Sequence, residues 1–273
     1  MAPEQRDSQP DRVTLKRLSR RSPDKIAFSG NYDSWEAALR DSTGYDAPVI
    51  VEKTRAALLK VKNGAAIFER DSVLFDKPEY PFPIIGAMLG QALKSEGRLS
   101  VLDFGGSLGS SYFQCRSFFS ALKILRWHVV EQAAHVACGR RDFESEELHF
   151  HETVGEFLRA DPAPNVLLLS SVLPYLKEPY TQLAKLLSLK IPTVIVDRTA
   201  FLPGDEDRLA VERVPAAIYQ ASYPFWFLSE TKFQQAIAEQ YRTVATFTPV
   251  DAPLLAQAEG YFKGFVLERA QGE

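Results

Sequence analysis

Residues 99–110, which read LSVLDFGGSLGS, contain the pattern that decides the fold. A mostly apolar run, typical of a buried strand, leads into a turn that contains Gly105, Gly106 and Gly109. Glycine allows backbone N–H groups to approach a ligand at positions where a Cβ would collide with it. Asp103, at the carboxyl end of the strand, adds a hydrogen-bond acceptor on the edge where open α/β sheets bind ligands. The stretch therefore predicts a ligand-binding strand–turn–helix unit.

The chain that follows alternates between short apolar runs and amphipathic segments, which is typical of a parallel sheet built from βαβ units. The predicted strands are 99–104, 124–130, 147–151, 166–170, 193–196, 244–248 and 261–268, and the clearest predicted helices are 110–121, 179–187 and 231–240. A short loop joins the last two strands, so we expect them to be antiparallel. The pattern predicts an α/β fold with a Rossmann-like seven-stranded sheet that ends in a C-terminal antiparallel hairpin.

The domain organisation follows from changes in composition along the chain. Residues 1–27 are polar and contain three prolines, so we expect a disordered N-terminal arm. Residues 28–97 show helical spacing of apolar side chains, which predicts a helical N-terminal addition. Residues 98–273 are expected to form the ligand-binding domain, with an irregular insertion at about 199–228.

The composition excludes several classes of protein. The 273 residues are 45% hydrophobic and 25% charged, as in average soluble globular proteins. A formal net charge of -3 disfavours nucleic acid and anionic membranes as partners. No apolar run reaches the roughly 18 residues of a membrane span, and the two cysteines cannot form a disulfide framework. We therefore expect a cytoplasmic protein. We also expect no metal site, because His149 and His151 lack a third ligand at metal spacing.

The glycine turn can be compared with known nucleotide-binding fingerprints. The nicotinamide fingerprint requires glycine at its first, third and sixth positions, and counted from Gly105 the third and sixth are serines. The Walker fingerprint also fails, because no Gly-Lys-Ser/Thr follows. Glu131 ends the next predicted strand, 22 residues after Gly109, where a carboxylate can accept hydrogen bonds from both hydroxyls of a ribose. The alternative is that Glu131 is only a solvated strand end.

The pattern acid-x-Gly-x-small-x-Gly, formed by Asp103, Gly105, Ser107 and Gly109, resembles the first motif of class I S-adenosylmethionine-dependent methyltransferases. More widely, the chain from Phe28 to Phe227 resembles a family of methyltransferases, classified from sequence, that is associated with bacterial surface-polysaccharide genes. The resemblance implies a methyltransferase sheet and S-adenosylmethionine as cofactor. It implies cofactor contacts by Asp103, Gly105, Gly106, Ser107, Gly109, Glu131, Glu152, Ser170 and Ser171.

The expected function is methyl transfer to a small-molecule or sugar-like acceptor, such as a sugar nucleotide. Tyr175, Asp197 and Arg198, at or just beyond strand ends, are candidates for acceptor contacts. Residues 217–228 contain five aromatic side chains, and we expect a loop that covers the acceptor through Tyr219, Tyr223 and Trp226. The alternative for these aromatic residues is ordinary core packing. A binding protein without turnover, or an enzyme that uses the sulfonium cofactor differently, remains a second interpretation. The sequence predicts no catalytic base.

Overall fold

The computed structural model describes residues 26–44, 47–70, 72–75, 77, 79–215, 221–250 and 260–270. The strands are β1 (Ala27–Ser29), β2 (Phe68–Arg70), β3 (Val73–Phe75), β4 (Arg98–Phe104), β5 (Ile124–Val130), β6 (Leu148–His151), β7 (Val166–Ser170), β8 (Thr193–Leu202), β9 (Arg208–Val214), β10 (Ala221–Ser229), β11 (Tyr241–Phe247) and β12 (Tyr261–Arg269). The helices are α1 (Trp35–Arg40), α2 (Ala47–Lys62), α3 (Phe82–Lys94), α4 (Ser110–Cys115), α5 (Ala133–Asp142), α6 (Val154–Ala160), α7 (Pro179–Leu187) and α8 (Glu230–Ala238). Short 3-10 helices, Arg116–Phe119 and Leu173–Tyr175, follow α4 and β7.

Ten of these strands form one sheet, in which seven follow the spatial order β6-β5-β4-β7-β8-β12-β11 and β10, β9 and β1 continue from β8. The first five are parallel, whereas β12 runs antiparallel to both β8 and β11. The predicted Rossmann-like methyltransferase sheet with a C-terminal antiparallel hairpin is therefore confirmed. The strand order reverses between β4 and β7, and the carboxyl ends of strands at such a switch point are where open α/β sheets bind ligands.

The central strands are buried on both faces, which explains their nearly continuous apolar sequence. Leu102 and the run 167–169 are fully buried. On one side, Met88 of α3 and Trp127 of β5 belong to one apolar cluster. On the other, Phe157 of α6 belongs to a second cluster with residues of α7 and α8. The two clusters hold the sheet between layers of helices, and the loops at the strand ends remain available for a site.

The described residues of the predicted insertion, 199–215 and 221–228, are mostly strands rather than an irregular segment. β8 continues past residue 196 to Leu202, and β9 and β10 form an antiparallel pair that β1 extends on its other side. Pro224 suggested a loop. In the structure β10 pairs with β9 along most of its length but with β8 only at Leu228 and Ser229, so Pro224 has a neighbouring strand on one side. A missing N–H is tolerated where a strand has a neighbour on one side only. The long-range pairing of β8, β9 and β10 therefore prevails over the local signal of the prolines.

The N-terminal addition contains helices, as expected, but also strands. β1 pairs with β9, and β2 pairs with β3 in a small separate hairpin. Residues 1–25 of the expected arm lie outside the described residues, and the domain boundaries remain predictions. The predicted helix 110–121 is α-helical only to Cys115. No helix among the described residues is long and apolar enough to cross a membrane.

Candidate functional site

A cleft of about 540 Å³ opens at the carboxyl ends of β4, β5, β6 and β7, and Arg198 within β8 also lines it. The N-terminal addition and the β9–β10 pair close its other side. Its lining includes eight of the nine expected cofactor residues: Asp103, Gly105, Gly106, Ser107, Glu131, Glu152, Ser170 and Ser171. Residues from four strand ends therefore meet in one cleft. The structure does not bring Gly109 into the lining. Gly109 instead caps the start of α4 with left-handed backbone (φ 91°), and a Cβ on Gly109 would lie 3.1 Å from Leu148.

The turn after β4 has a backbone that requires glycine. Gly105 has φ 75°, and an added Cβ would lie 2.4 Å from Cγ2 of Val172, which follows β7. Gly106 lies against the β4 carboxylate, because its Cβ would be 2.4 Å from Asp103 Cγ. Ser107 has φ 54° although it is not glycine. The turn therefore leaves no room for a side chain at positions 105 and 106, and it borders the cleft.

Asp103 is buried and incompletely hydrogen-bonded. Trp127 Nε1–H donates to Oδ2 at 2.9 Å, whereas Oδ1 has no hydrogen-bond partner among the described residues. Burial raises the pKa of Asp103 to about 7, against the opposing hydrogen bond from Trp127, and the nearby charge of Glu131 raises it further. A buried acceptor without a donor is costly. Asp103 is thus suited to receive a donor from a bound ligand.

Glu131 follows β5 and faces the same cleft. Its Oε2 accepts from the backbone N–H of Gln132 at 2.6 Å and lies 3.9 Å from His135 Nδ1. The side chain is only 15% exposed, which does not favour the alternative of a solvated strand end. Burial lowers the pKa of His135, and the charge of Glu131 opposes this shift. Sequence reasoning did not single out His135, although it also lines the cleft.

The expected acceptor residues separate into three groups. Tyr175, Arg198 and Tyr223 line the cleft. Asp197 is buried outside the lining, where its Oδ2 accepts from Ser170 Oγ at 3.0 Å. Tyr219 lies outside the described residues.

Trp226 does not line the cleft. The expected covering loop is wrong for residues 221–228, because these belong to β10. Side chains alternate along a strand, so Trp226 lies on the face opposite to Tyr223. There it packs with a small apolar cluster that includes Leu209 and Val211. The position of Trp226 agrees with the alternative of core packing.

Two further residues that line the cleft have unusual backbone. Ser171, just after β7, has φ 57°, and Arg198, within β8, has φ 48°. Both line the cleft, and the Ser171 N–H donates to the backbone oxygen of Asp197 at 3.0 Å. Left-handed backbone at residues other than glycine clusters at functional sites. The strained positions therefore mark the same edge of the sheet as the glycine turn.

Several lining residues were missed by sequence reasoning because tertiary packing brings them to the cleft. Trp35, Thr54 and Arg70 come from the N-terminal addition, and Glu212 comes from β9. For Glu212 a signal existed, since it is an acid within the mostly apolar strand LAVERV, residues 209–214. The N-terminal residues carry no comparable local signal.

Three histidines cluster on the β5–β6 side of the sheet, away from the cleft lining. Nδ1 of His128 and Nε2 of His151 lie 2.9 Å apart, and the ring of His149 stacks on His128 at 5.1 Å. Burial lowers the pKa of His128 to about 4, so the ring is neutral near pH 7. Within the described parts of the chain, no group of three or more histidine, cysteine or acidic residues is placed to hold a metal ion.

No protein-family model and no curated protein matches the sequence. Among solved structures, the chain is similar to 1,6-didemethyltoxoflavin-N1-methyltransferase of Burkholderia thailandensis with bound 1,6-didemethyltoxoflavin and S-adenosylhomocysteine (12% identity, TM-score 0.44, 97% of this chain and 100% of that chain). It is also similar to an S-adenosylmethionine-dependent methyltransferase of Clostridium acetobutylicum (10%, 0.45, 68% and 91%). A third similar structure is the amino pentose methyltransferase CalS10 of Micromonospora echinaspora (12%, 0.43, 70% and 92%).

Proposed function

We propose that the chain is an S-adenosylmethionine-dependent methyltransferase that acts on a small, sugar-like acceptor. One observation carries the proposal: the glycine turn after β4 and Glu131 after β5 border a single cleft at the switch point of a methyltransferase-type sheet. An anionic or polar nucleoside ligand needs backbone donors at such a turn and a carboxylate at the next strand end. No other part of the described chain combines these two features.

The residues present fit this cofactor. The unpartnered Oδ1 of Asp103 offers an acceptor, and Gly106 leaves space beside it that a Cβ would fill. The backbone of Gly105 and Ser107 and the carboxylate of Glu131 would hold the nucleoside part. Glu152, Ser170 and Ser171 complete the expected set around the same cleft. When bound, the cofactor supplies a methyl group attached to a positively charged sulfur.

The protein's own contribution is to position the acceptor and to restrict access of water. The cleft volume of about 540 Å³ lies within the usual range for small-molecule sites. Trp35, Tyr175 and Tyr223 give the cleft aromatic walls, and Arg198 adds a positive charge. Alignment of two reactants in such a cleft is worth several kcal/mol of the activation barrier, because it replaces a bimolecular encounter.

The proposed acceptor class follows from this lining. Aromatic rings offer flat apolar faces. Arg198 offers a cationic donor for phosphate groups, and Glu212 offers an acceptor for hydroxyl groups. A sugar nucleotide matches this lining, because it presents hydroxyl groups, phosphate groups and the flat faces of a sugar ring and a base. The resemblance to the family associated with surface-polysaccharide genes favours the same class.

The test uses the purified protein, S-adenosylmethionine labelled in its methyl group, and a panel of dTDP-linked 6-deoxyhexoses and UDP-linked hexoses. We expect labelled product together with a stoichiometric amount of S-adenosylhomocysteine. Cofactor binding without turnover on any member of the panel would favour a non-catalytic binding protein or another acceptor class. Transfer of a group other than methyl, read by mass spectrometry, would contradict the proposal.

A further inference from the structure

Glu212 places a carboxylate in the middle of a strand whose neighbouring inward positions are apolar. Ala210 and Val214 share its face of β9 at the two-residue spacing of a strand, and both are buried. Phe28 of β1 and Tyr223 of β10 pair with Glu212 on its two sides. Glu212 is 2% exposed, yet it borders the cleft. A carboxylate at the border of a cleft is placed to reach a bound ligand, and a buried acid among apolar strand neighbours is a typical feature of functional sites.

Tyr175 holds the Glu212 carboxylate on the cleft side. Its hydroxyl donates to Oε2 of Glu212 at 2.8 Å. The Tyr175 ring packs edge-on against Tyr223 and Phe225, with centroids 5.5 and 5.1 Å away. These contacts restrict the ring, so its hydroxyl gives the carboxylate a defined orientation.

The same tyrosine connects Glu212 to the glycine turn. Tyr175 ends the 3-10 helix that begins directly after Val172. Val172 is the residue whose side chain a Cβ on Gly105 would meet. Glu212 is therefore tied through Tyr175 to the loop that forms one wall of the proposed cofactor site.

We propose that Glu212 accepts the proton of a hydroxyl acceptor during methyl transfer, and that Tyr175 is its positioning residue. The inference rests on the proposed function and extends it to a catalytic residue and to an acceptor nucleophile. The acceptor oxygen forms the new bond to the methyl carbon, the carbon–sulfur bond breaks with its electron pair passing to sulfur, and the hydroxyl proton passes to the Glu212 carboxylate. No further reactant is required.

A base is needed for this class of acceptor. A sugar hydroxyl remains protonated at neutral pH, so its oxygen becomes a good nucleophile only as the proton leaves. A carboxylate oxygen has two lone pairs, so a carboxylate that borders the cleft and accepts from the Tyr175 hydroxyl is also able to accept a proton from a bound hydroxyl group. An unprotonated amine attacks without losing a proton first and would not need Glu212, whereas the hydroxyls of a sugar-like acceptor do need a base.

The first test measures whether Glu212 lies near the position of the transferred methyl group, and it needs no acceptor. Calorimetry compares binding of S-adenosylhomocysteine with binding of sinefungin, an analogue that carries a protonated amine where the cofactor carries its sulfonium methyl. Glu212→Gln keeps the size and the hydrogen bond to Tyr175 but removes the charge. We expect this substitution to weaken the binding of sinefungin by about tenfold, the size expected for a nearby charge pair. The affinity for S-adenosylhomocysteine should change by less than about twofold. Glu239→Gln, at an exposed position at the end of α8, is the matched control.

The second test measures the role in turnover, using whichever nucleotide sugar of the panel is methylated. Glu212→Gln should lower kcat by about 10²-fold or more, the usual contribution of a general base, with KM changed little. Tyr175→Phe should lower kcat less, and the double variant should fall no further than Glu212→Gln alone, because Tyr175 acts through Glu212. A merely structural tyrosine would give additive losses.

The outcomes separate the two proposals. If the wild type binds neither nucleoside, the proposed function fails. If it binds both and Glu212→Gln weakens them equally or not at all, Glu212 is not near the transfer point and the inference is overturned. A kcat for Glu212→Gln within about threefold of the wild type would overturn it as well.

Discussion

A Cβ placed on Gly106 would lie 2.4 Å from the carboxyl carbon of Asp103, so these two residues share one space at the end of β4. The carboxylate lies where a side chain on the turn would otherwise be. Any residue larger than glycine at position 106 must displace it.

Gly106→Ala should therefore weaken binding of S-adenosylhomocysteine by about tenfold or more, because it shifts the Asp103 carboxylate and narrows the cleft. Gly86→Ala in α3 is the matched control, since a Cβ there meets nothing within 4 Å. The control should keep full affinity and gain stability, because alanine is favoured over glycine within a helix by about 0.5–1 kcal/mol. Equal affinity of the two variants, measured by calorimetry, would contradict this account of the turn.

The raised pKa of Asp103 gives a pH dependence of stability. In the folded protein this pKa is about 7, above its ordinary value of 3.8, so the folded state binds more protons than the unfolded state between these two pH values. The contribution is fully present below pH 3.8 and is lost as pH rises through 7. Relative to Asp103→Asn, the wild type should therefore lose more than about 1 kcal/mol of unfolding free energy between pH 5 and 8.

Chemical denaturation of both proteins, without ligand, at the two pH values measures this difference. Other titrating groups cancel in the comparison. If the gap between wild type and Asp103→Asn is the same at pH 5 and pH 8, the carboxyl is not protonated by burial.

Glu131→Ala should weaken binding of S-adenosylhomocysteine by about 1.5–3 kcal/mol, the range for hydrogen bonds to a charged group. The same substitution at Glu146, which is exposed and outside the cleft lining, should leave the affinity unchanged. Calorimetry on the two variants checks the pair. An unchanged affinity for Glu131→Ala would show that Glu131 does not bind the cofactor and is only the end of a strand.

Trp226 should behave as a packing residue. Its indole Nε1 is buried without a hydrogen-bond partner among the described residues, so Trp226→Phe removes an unsatisfied donor while it loses some apolar contact. We expect the unfolding free energy to change by less than about 1 kcal/mol and cofactor affinity and turnover to stay the same. A specific loss of turnover in a stable variant would instead support acceptor contact by this side chain.

Much of the sheet could be predicted because its signals are local. The strand that ends at Asp103, the glycine turn and the strand that ends before Glu131 follow from apolar runs and from the residues that break them. The start of α8 could also be predicted, because serine is a preferred residue directly before a helix. In the structure the Ser229 hydroxyl accepts from the Lys232 N–H at 3.1 Å. Such features depend on a few neighbouring residues.

The other wall of the cleft could not be predicted, because it depends on long-range pairing. β9 lies between β1 and β10, and Phe28 of β1 is far from Glu212 in the sequence. Pro224 indicated a loop locally, but the pairing of β10 tolerates it. An acid in an apolar strand marked Glu212, but only the pairing of β9 with β1 and β10 brings it to the cleft and to the Tyr175 hydroxyl.

The central claim is that the cleft beside the Gly105 turn binds S-adenosylmethionine, and calorimetry with the purified wild type and Gly105→Val tests it most directly. The account predicts that the wild type binds S-adenosylhomocysteine at one site per chain. It also predicts that the variant, whose branched side chain would meet Val172 in a backbone with φ 75°, keeps its fold and loses binding. Absence of binding of both S-adenosylmethionine and S-adenosylhomocysteine to the wild type would contradict the account.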